Sequence, residues 1–309
     1  MSAPVSMLSF VTADDLARLD RLELVSQKLV NGHISGKHKS LIKGGCSEFS
    51  DHRAYSPGDE IRHLDWRVYA KSNRYYVKEY DEETSAHGMI VLDVSGSMNF
   101  GMETVSKLDC AKAACACSAR LILGQRDPVG LAFGTGSVHD ILPPRSSARH
   151  LHQILHKLHH AQASGDQTFV ETLKTLVRQL KQRTQILLFT DGFFDLSDFE
   201  SVLRQMTQRG HQIILFHTLA PEELAFNFDD GIRFECMEKD GLHRNVDPAE
   251  FADTYLERMQ IFLTRLKNIC IKSDSAYVPM LTDRPVSETL ANYLRTRTGR
   301  HTRAAAGSH

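Results

Sequence analysis

The sequence predicts an α/β protein built on a central, mostly parallel sheet with helices on both faces. Three observations carry that prediction. Apolar runs without polar alternation recur at "GMIVLDVS" (88–95), "TQILLFTDG" (184–192) and "HQIILFHTL" (211–219), the pattern of strands buried on both sides. Helical stretches lie between them, the alternation that winds a parallel sheet with right-handed crossovers. Residues 128–142 hold two short strand-like pieces around a Gly-rich turn, which allows one antiparallel edge strand.

The elements follow in chain order. Thr12-Ala-Asp-Asp15 resembles a helix cap, and Leu16, Leu19, Leu22, Val25 and Leu29 follow at near-helical spacing, so a helix should run to about Gly32. Residues 33–86 are rich in Gly, Ser, Tyr and charge, with strand-like pieces such as "RYYVKEYDEE" (74–83). A stretch of that length is not a structureless loop, and residues 1–86 are expected to form an N-terminal helix and strand appendage. The main domain is expected over 87–282. Its first helix, 105–125, is rich in small residues that permit close approach to a sheet. The helices at 147–162 and 169–182 come next, the latter with Phe169, Leu173, Leu176 and Leu180 on one face. Ser197-Asp-Phe-Glu200 reads as a capping box for the next helix. Asp247-Pro248-Ala-Glu250 opens a long helix to about Lys272. "AYVPML" (276–281) supplies the last strand and "SETLANYLRTRTG" (287–299) the last helix, within a C-terminal region 283–309 whose tail should be disordered.

Bulk composition narrows the functional classes. Hydrophobic residues make up 41% and charged residues 24% of 309, and the net charge is −1. No bulk field draws the chain to nucleic acid or an anionic membrane. The N-terminus lacks a basic region followed by a long apolar core, and no apolar stretch reaches the length of a membrane span. A soluble, cytoplasmic protein is expected. Six cysteines (46, 110, 115, 117, 236 and 270) include no Cys-x-x-Cys pair, which suits small buried side chains in a reducing compartment.

The chemistry concentrates in "DVSGSM". Asp93 ends a buried strand, where a charge is expensive without a partner. Ser95 and Ser97 follow in the turn before a helix. A carboxylate with two hydroxyls is an all-oxygen set, the preference of a hard divalent ion and above all magnesium. In sheets of this class ligands sit beyond the carboxyl ends of strands, and two further loops of that edge carry suitable oxygens. Asp191 ends the strand "LLFTDG", and Thr168 stands just before a helix, with Ser164 and Asp166 nearby as substitutes. A capping role for Asp93 and Ser95 would account for one loop and not for three.

This set resembles the metal-ion-dependent adhesion site of von Willebrand factor A domains: Asp-x-Ser-x-Ser, a threonine, then a Thr-Asp-Gly aspartate. The resemblance implies a von Willebrand A-like, Rossmann-like fold. It also implies that the hydroxyls of Ser95, Ser97 and Thr168 touch the ion, and that Asp93 and Asp191 hold its waters. One coordination position would stay open for a partner's carboxylate. Mg2+ is the expected ion, with Mn2+ or Ca2+ as alternatives.

A second signature precedes it. Ser56-Pro57-Gly58-Asp59 fits a type II turn. Arg53, Asp59, Arg62 and Asp65 bring opposite charges close to Trp66, the only tryptophan. With Tyr55, this stretch resembles the Arg-x-Tyr-x-x-Gly-Asp-x-x-Arg-x-x-Asp-Trp signature of the family called domain of unknown function 58, in its short soluble form. The network serves either to fix the appendage or to contact a partner. The family resemblance implies work with a MoxR-type AAA+ ATPase in protein maturation or remodelling. The partner, that ATPase or a client, would be met through an acidic residue.

Other patterns carry less. His152, His156, His159 and His160 cluster on one helix, and Arg295, Arg297, Arg300 and Arg303 near the C-terminus; both suit solvated helix surfaces. There is no phosphate-binding Gly-x-x-x-x-Gly-Lys and no Gly-x-Ser-x-Gly elbow. An aspartyl-phosphate mechanism would expect a second acid two residues after Asp93, where Ser95 stands. A magnesium-dependent hydrolase and a structural subunit with an empty site remain the alternatives to a binding module, and no enzyme is expected.

Overall fold

The computed structural model describes residues 48–56, 64–72, 74–81, 87–101, 105–134, 141–164, 168–226, 233–235, 243–245 and 248–306. The chain divides into two compact units, residues 31–85 and the remainder. The expected helix from Leu16 to Gly32, the turn at Pro57–Asp59, Arg62 and Asp166 lie outside the described residues.

In the small unit β1 (Glu48–Ala54) pairs antiparallel with β2 (Tyr76–Asp81), and α1 (Trp66–Ser72) stands between them in sequence. Asp65 is buried and caps α1 by accepting from the Val68 N–H at 3.3 Å. Tyr69 stacks on Tyr75 at 4.5 Å between ring centroids, Tyr75 lies 6.2 Å from Tyr55, and Trp66 meets Tyr69 edge-on. Trp66 itself is 57% exposed.

The large unit is organised by a six-stranded sheet. Its elements are β3 (His87–Leu92), α2 (Lys107–Gly124), β4 (Val129–Phe133), β5 (Ile141–Arg145), α3 (Ala148–His160), α4 (Phe169–Gln179), β6 (Thr184–Thr190), α5 (Leu196–Gln208), β7 (Gln212–Leu219), α6 (Pro221–Ala225), the pair β8 (Arg233–Glu235) and β9 (His243–Asn245), α7 (Pro248–Lys272), β10 (Ala276–Leu281) and α8 (Val286–Ala306). The strand order is β10-β7-β6-β3-β4-β5. All neighbours are parallel except β4 and β5, as the sequence predicts. The antiparallel edge strand is β5, Ile141–Arg145, and residues 135–140 of the expected hairpin lie outside the described residues. Pro143 and Pro144 fall within it, which an edge strand tolerates because it need not donate on both sides.

Buried alternation along β3 sorts the core. Ile90 and Leu92 face α2, α3 and α8, whereas Met89 and Val91 face α4, α5 and α7. The Ala- and Cys-rich face of α2 packs into the core, and Ala111, Ala114, Cys115 and Ala119 are fully buried. Cys110, Cys115, Cys117 and Cys270 are buried thiols, and burial pushes the Cys115 thiol up, away from reactivity.

Two boundaries differ from expectation. The cap of α5 is Asp195, whose carboxylate accepts from the Ser197 and Asp198 N–H groups at 2.8 Å each. Ser197 therefore lies inside the helix, because an aspartate two residues earlier reaches the same orphan donors first. Helix α8 runs to Ala306, into the segment expected to be disordered.

Candidate functional site

Chain direction changes across the centre of the sheet. After β3 the chain runs to β4 and β5 on one side, and then crosses to β6 on the other. The carboxyl ends of β3 and β6 thus flank the switch point where ligands gather in such sheets. Asp93 follows β3 and Asp191 follows β6, and the two strands are in register from His87–Thr184 to Leu92–Phe189. The backbone joins them further, since the Asp93 N–H donates to the Phe189 carbonyl at 2.9 Å.

Asp93 is buried with both oxygens engaged. Oδ1 accepts from the Ser95 N–H at 2.9 Å, and Oδ2 accepts from Thr190 Oγ1 at 2.6 Å. The Thr190 hydroxyl in turn accepts from the Gly192 N–H at 3.0 Å. Gly192 has φ = +78°, and a Cβ there would come within 3.0 Å of Leu266, so the third residue of Thr-Asp-Gly must be glycine. Burial first, and the neighbouring Asp191 charge second, push the Asp93 carboxyl up to about 6, against the lowering effect of its hydrogen bonds.

The hydroxyls are not ordinary caps. Ser95 precedes a short 3-10 helix (Gly96–Asn99) and Thr168 precedes α4, yet neither side chain makes a capping hydrogen bond. Ser95 Oγ and Ser97 Oγ lie 3.2 Å apart. Thr168 Oγ1 donates to the Gly134 carbonyl at 2.7 Å. Gly134 itself is held by its N–H to Leu92 O at 2.8 Å, and Ser164 N–H reaches Val94 O at 2.9 Å. A Cβ on Gly134 would meet Phe169 at 2.9 Å and Asp93 Cα at 3.4 Å, so close approach joins the β4 and α4 loops to Asp93. All five sequence-predicted residues therefore sit on one sheet edge. Asp93, Ser95 and Asp191 are buried, while Ser97 and Thr168 are half-buried above them.

A second group, not anticipated from sequence, completes the edge. Lys107, the first residue of α2, is buried with its ammonium 2.8 Å from Asp191 Oδ2 and 2.7 Å from Glu223 Oε1. Its Nζ lies 5.6 Å from the Phe100 ring centre and 5.3 Å from that of Phe193. Burial opposes its charge, but Asp191 and Glu223 outweigh that and the net shift is upward. Glu223 is pushed up by burial and pulled back by Lys107, and its Oε2 accepts from the Ala220 N–H at 2.9 Å. Asp191 Oδ1 accepts from the Phe193 N–H at 3.3 Å. His217 Nε2 donates to the Asp191 carbonyl at 2.8 Å, and Nδ1 accepts from the Tyr277 hydroxyl at 2.8 Å. Burial lowers His217 to about 4, so the ring is neutral and fits this tautomer.

Among the described residues, three buried carboxylates (Asp93, Asp191 and Glu223) against one ammonium leave a formal charge of −2 on this edge. The donor set of carboxylates and hydroxyls suits a hard divalent cation and not a soft one. Thr168 gives its proton to the Gly134 carbonyl, so its hydroxyl oxygen can still accept or ligate through its lone pairs. No group of three or more His, Cys, Asp or Glu side chains among the described residues is arranged to hold a metal. The exposed histidines of α3 are therefore not such a centre, although the His156 and His160 rings lie tilted with centroids 4.3 Å apart. No helix among the described residues is long and apolar enough to cross a membrane.

In the Arg-x-Tyr signature of the small unit, β1 carries Arg53, and Tyr55 meets the tyrosine stack through Tyr75. Asp65 caps α1 and Trp66 opens it at the surface.

Comparison with known proteins places these features in context. The chain is 28% identical over 237 residues to uncharacterized proteins of Mycobacterium bovis and of two strains of Mycobacterium tuberculosis, covering 75% of this chain and 74% of theirs. Among solved structures, the conserved hypothetical protein BatB from Bacteroides thetaiotaomicron matches with a TM-score of 0.47 and 17% identity, over 70% of this chain and 99% of that one. An aerotolerance-related membrane protein from Bacteroides fragilis, carrying multiple mutations to serines, matches with a TM-score of 0.41 and 17% identity, over 67% and 96%. The model of the family described as protein of unknown function DUF58 matches residues 51–249, and the chain belongs to that family.

Proposed function

We propose that the β3–β6 edge is a cation site of the von Willebrand A adhesion type, and that the protein is a metal-dependent protein-binding module. The observation that carries this reading is the convergence of Asp93, Ser95, Ser97, Thr168 and Asp191 on one switch point, with hydroxyls that cap nothing. The formal charge of −2 fits one divalent ion, magnesium first, with Mn2+ or Ca2+ as alternatives. Ser95, Ser97 and Thr168 would hold it, and Asp93 and Asp191 would support it from beneath. When bound, such an ion supplies a Lewis-acidic position that can take a partner's carboxylate.

The residues of this chain do the rest of the work. Thr190 and the Ser95 N–H fix both oxygens of Asp93, and Gly134 orients Thr168. The half-buried rim of Ser97, Phe100 and Phe193 keeps the edge within reach of a partner's side chain. The partner is a MoxR-type AAA+ ATPase or a client protein presenting an acidic residue, and the ATPase would supply ATP hydrolysis.

The test is binding of that ATPase by the full chain, measured with magnesium and with chelator. Binding should need the metal, and Asp93→Ala should abolish it while the protein stays folded by circular dichroism. Equal affinity in chelator would remove the cation from the mechanism. Calorimetric titration of the chain with Mg2+ and Mn2+ tests the cation site alone.

A further inference from the structure

We propose that Lys107 is a positioning residue of the cation site: with Glu223 it sets the orientation of the Asp191 carboxylate and ties it to the β7–α6 corner. The inference rests on the reading of this edge as a cation site.

Lys107 is an unlikely residue for its place on general grounds. It is the first residue of α2, where a positive charge opposes the helix dipole. Its side chain is 1% exposed, and long charged side chains are almost never fully buried without partners. Its partners are Asp191 Oδ2 and Glu223 Oε1, two groups that come from different strand ends. An ammonium set against Asp191 alone would reduce the charge available to a cation, and Glu223 gives that charge back. The Lys107–Glu223 pair is therefore neutral as a unit, and what it contributes is geometry. Asp191 is held at every polar atom that could swing it: Oδ2 by Lys107, Oδ1 by the Phe193 N–H, and its carbonyl by His217. Glu223 Oε2 is anchored in turn on the Ala220 N–H, so the orientation of Asp191 is referred to the end of β7.

The experiment uses Mn2+ as probe and the full chain. Calorimetry gives affinity, and thermal unfolding with and without Mn2+ gives the metal-induced rise in midpoint. A merely structural lysine would lower both midpoints and leave that rise unchanged. The double variant K107M/E223Q keeps the formal charge at −2 and removes the positioning pair. It should bind Mn2+ about 10- to 100-fold more weakly, the usual effect of losing an outer partner of a ligand, with a smaller rise in midpoint. Glu223→Asp keeps every charge and withdraws one carboxylate by a methylene, and it should weaken binding by about tenfold. Should the double variant fail to fold, the single one decides. Wild-type affinity in the variants that fold overturns the proposal while leaving the cation site standing. Absence of Mn2+ binding by the wild-type chain overturns both.

Discussion

Two lysines of this protein each sit between two carboxylates at nearly the same distances. Lys107 lies 2.8 Å from Asp191 and 2.7 Å from Glu223, and Lys174 lies 2.8 Å from Glu171 and 2.9 Å from Asp198. The chemistry is the same and the surroundings are opposite. Side-chain exposure is 1%, 1% and 10% in the first group, against 33%, 61% and 59% in the second. Water screens the outer group and already solvates each member, so little depends on its remaining assembled. The inner group has lost its water, and each charge depends on the others. Distance alone would call these two networks equal; burial ranks them.

The largest expected effect is on the inner group. Lys107→Met leaves Asp191 and Glu223 buried without their cation, and breaking a buried pair in this way costs about 3–5 kcal/mol. Urea denaturation in chelator should show that loss at pH 8. The gap should narrow at pH 5, because Glu223, which burial already pushes up, loses the ammonium that pulls it back and is the more readily protonated there. A loss below about 1 kcal/mol would mean that water reaches the inner network, and the contrast with Lys174 would fail.

Asp93 sharpens the same comparison without a lysine. Its folded value of about 6 stands above the ordinary carboxylate value of about 3.9. The folded state therefore holds more protons than the unfolded state between those values. Stability from this group is full below the lower value and is lost as pH rises through the upper one. In chelator, Asp93→Asn should remove that slope. Relative to Asp93→Asn, the wild type should lose about 2–3 kcal/mol between pH 4 and pH 7, read from urea midpoints. Parallel profiles for the two proteins would show that Asp93 is not desolvated.

Much of this edge was legible in the sequence, and the part that was not has a physical cause. Asp93, Ser95, Ser97 and Asp191 end apolar runs, and a strand buried on both faces must deliver its next residue to the sheet edge. Thr168 was legible as the residue before an amphipathic helix. Lys107 and Glu223 gave no such signal. They lie 84 and 116 residues apart from their respective partners in the chain, and each reads locally as a solvated charge in a first helical turn. A sharper clue existed for Lys107, since a lysine opening a helix runs against the dipole. Thr190 was quoted within Thr-Asp-Gly but given no role, because only its 2.6 Å contact with Asp93 reveals it. The sheet order was legible as a class and not in detail, since apolar runs declare burial and not neighbours. The cap of α5 was misplaced to Ser197, because two capping candidates stood two residues apart and the earlier aspartate won.

The smallest expected effect belongs to the outer network, and it closes the comparison from the other side. Lys174→Met removes an ammonium whose two partners, Glu171 on α4 and Asp198 on α5, keep their water when it leaves. The urea midpoint should stay within error of the wild type at pH 7. Raising NaCl to about 1 M, where the screening length falls to about 3 Å, should erase whatever difference low salt reveals. The same salt should leave the loss in Lys107→Met nearly unchanged, because the ionic atmosphere screens a buried pair much less than an exposed one. A Lys174→Met protein destabilised as much as Lys107→Met, and insensitive to salt, would show that the α4–α5 contact and not solvent exposure governs these charges, and burial would no longer rank the two networks.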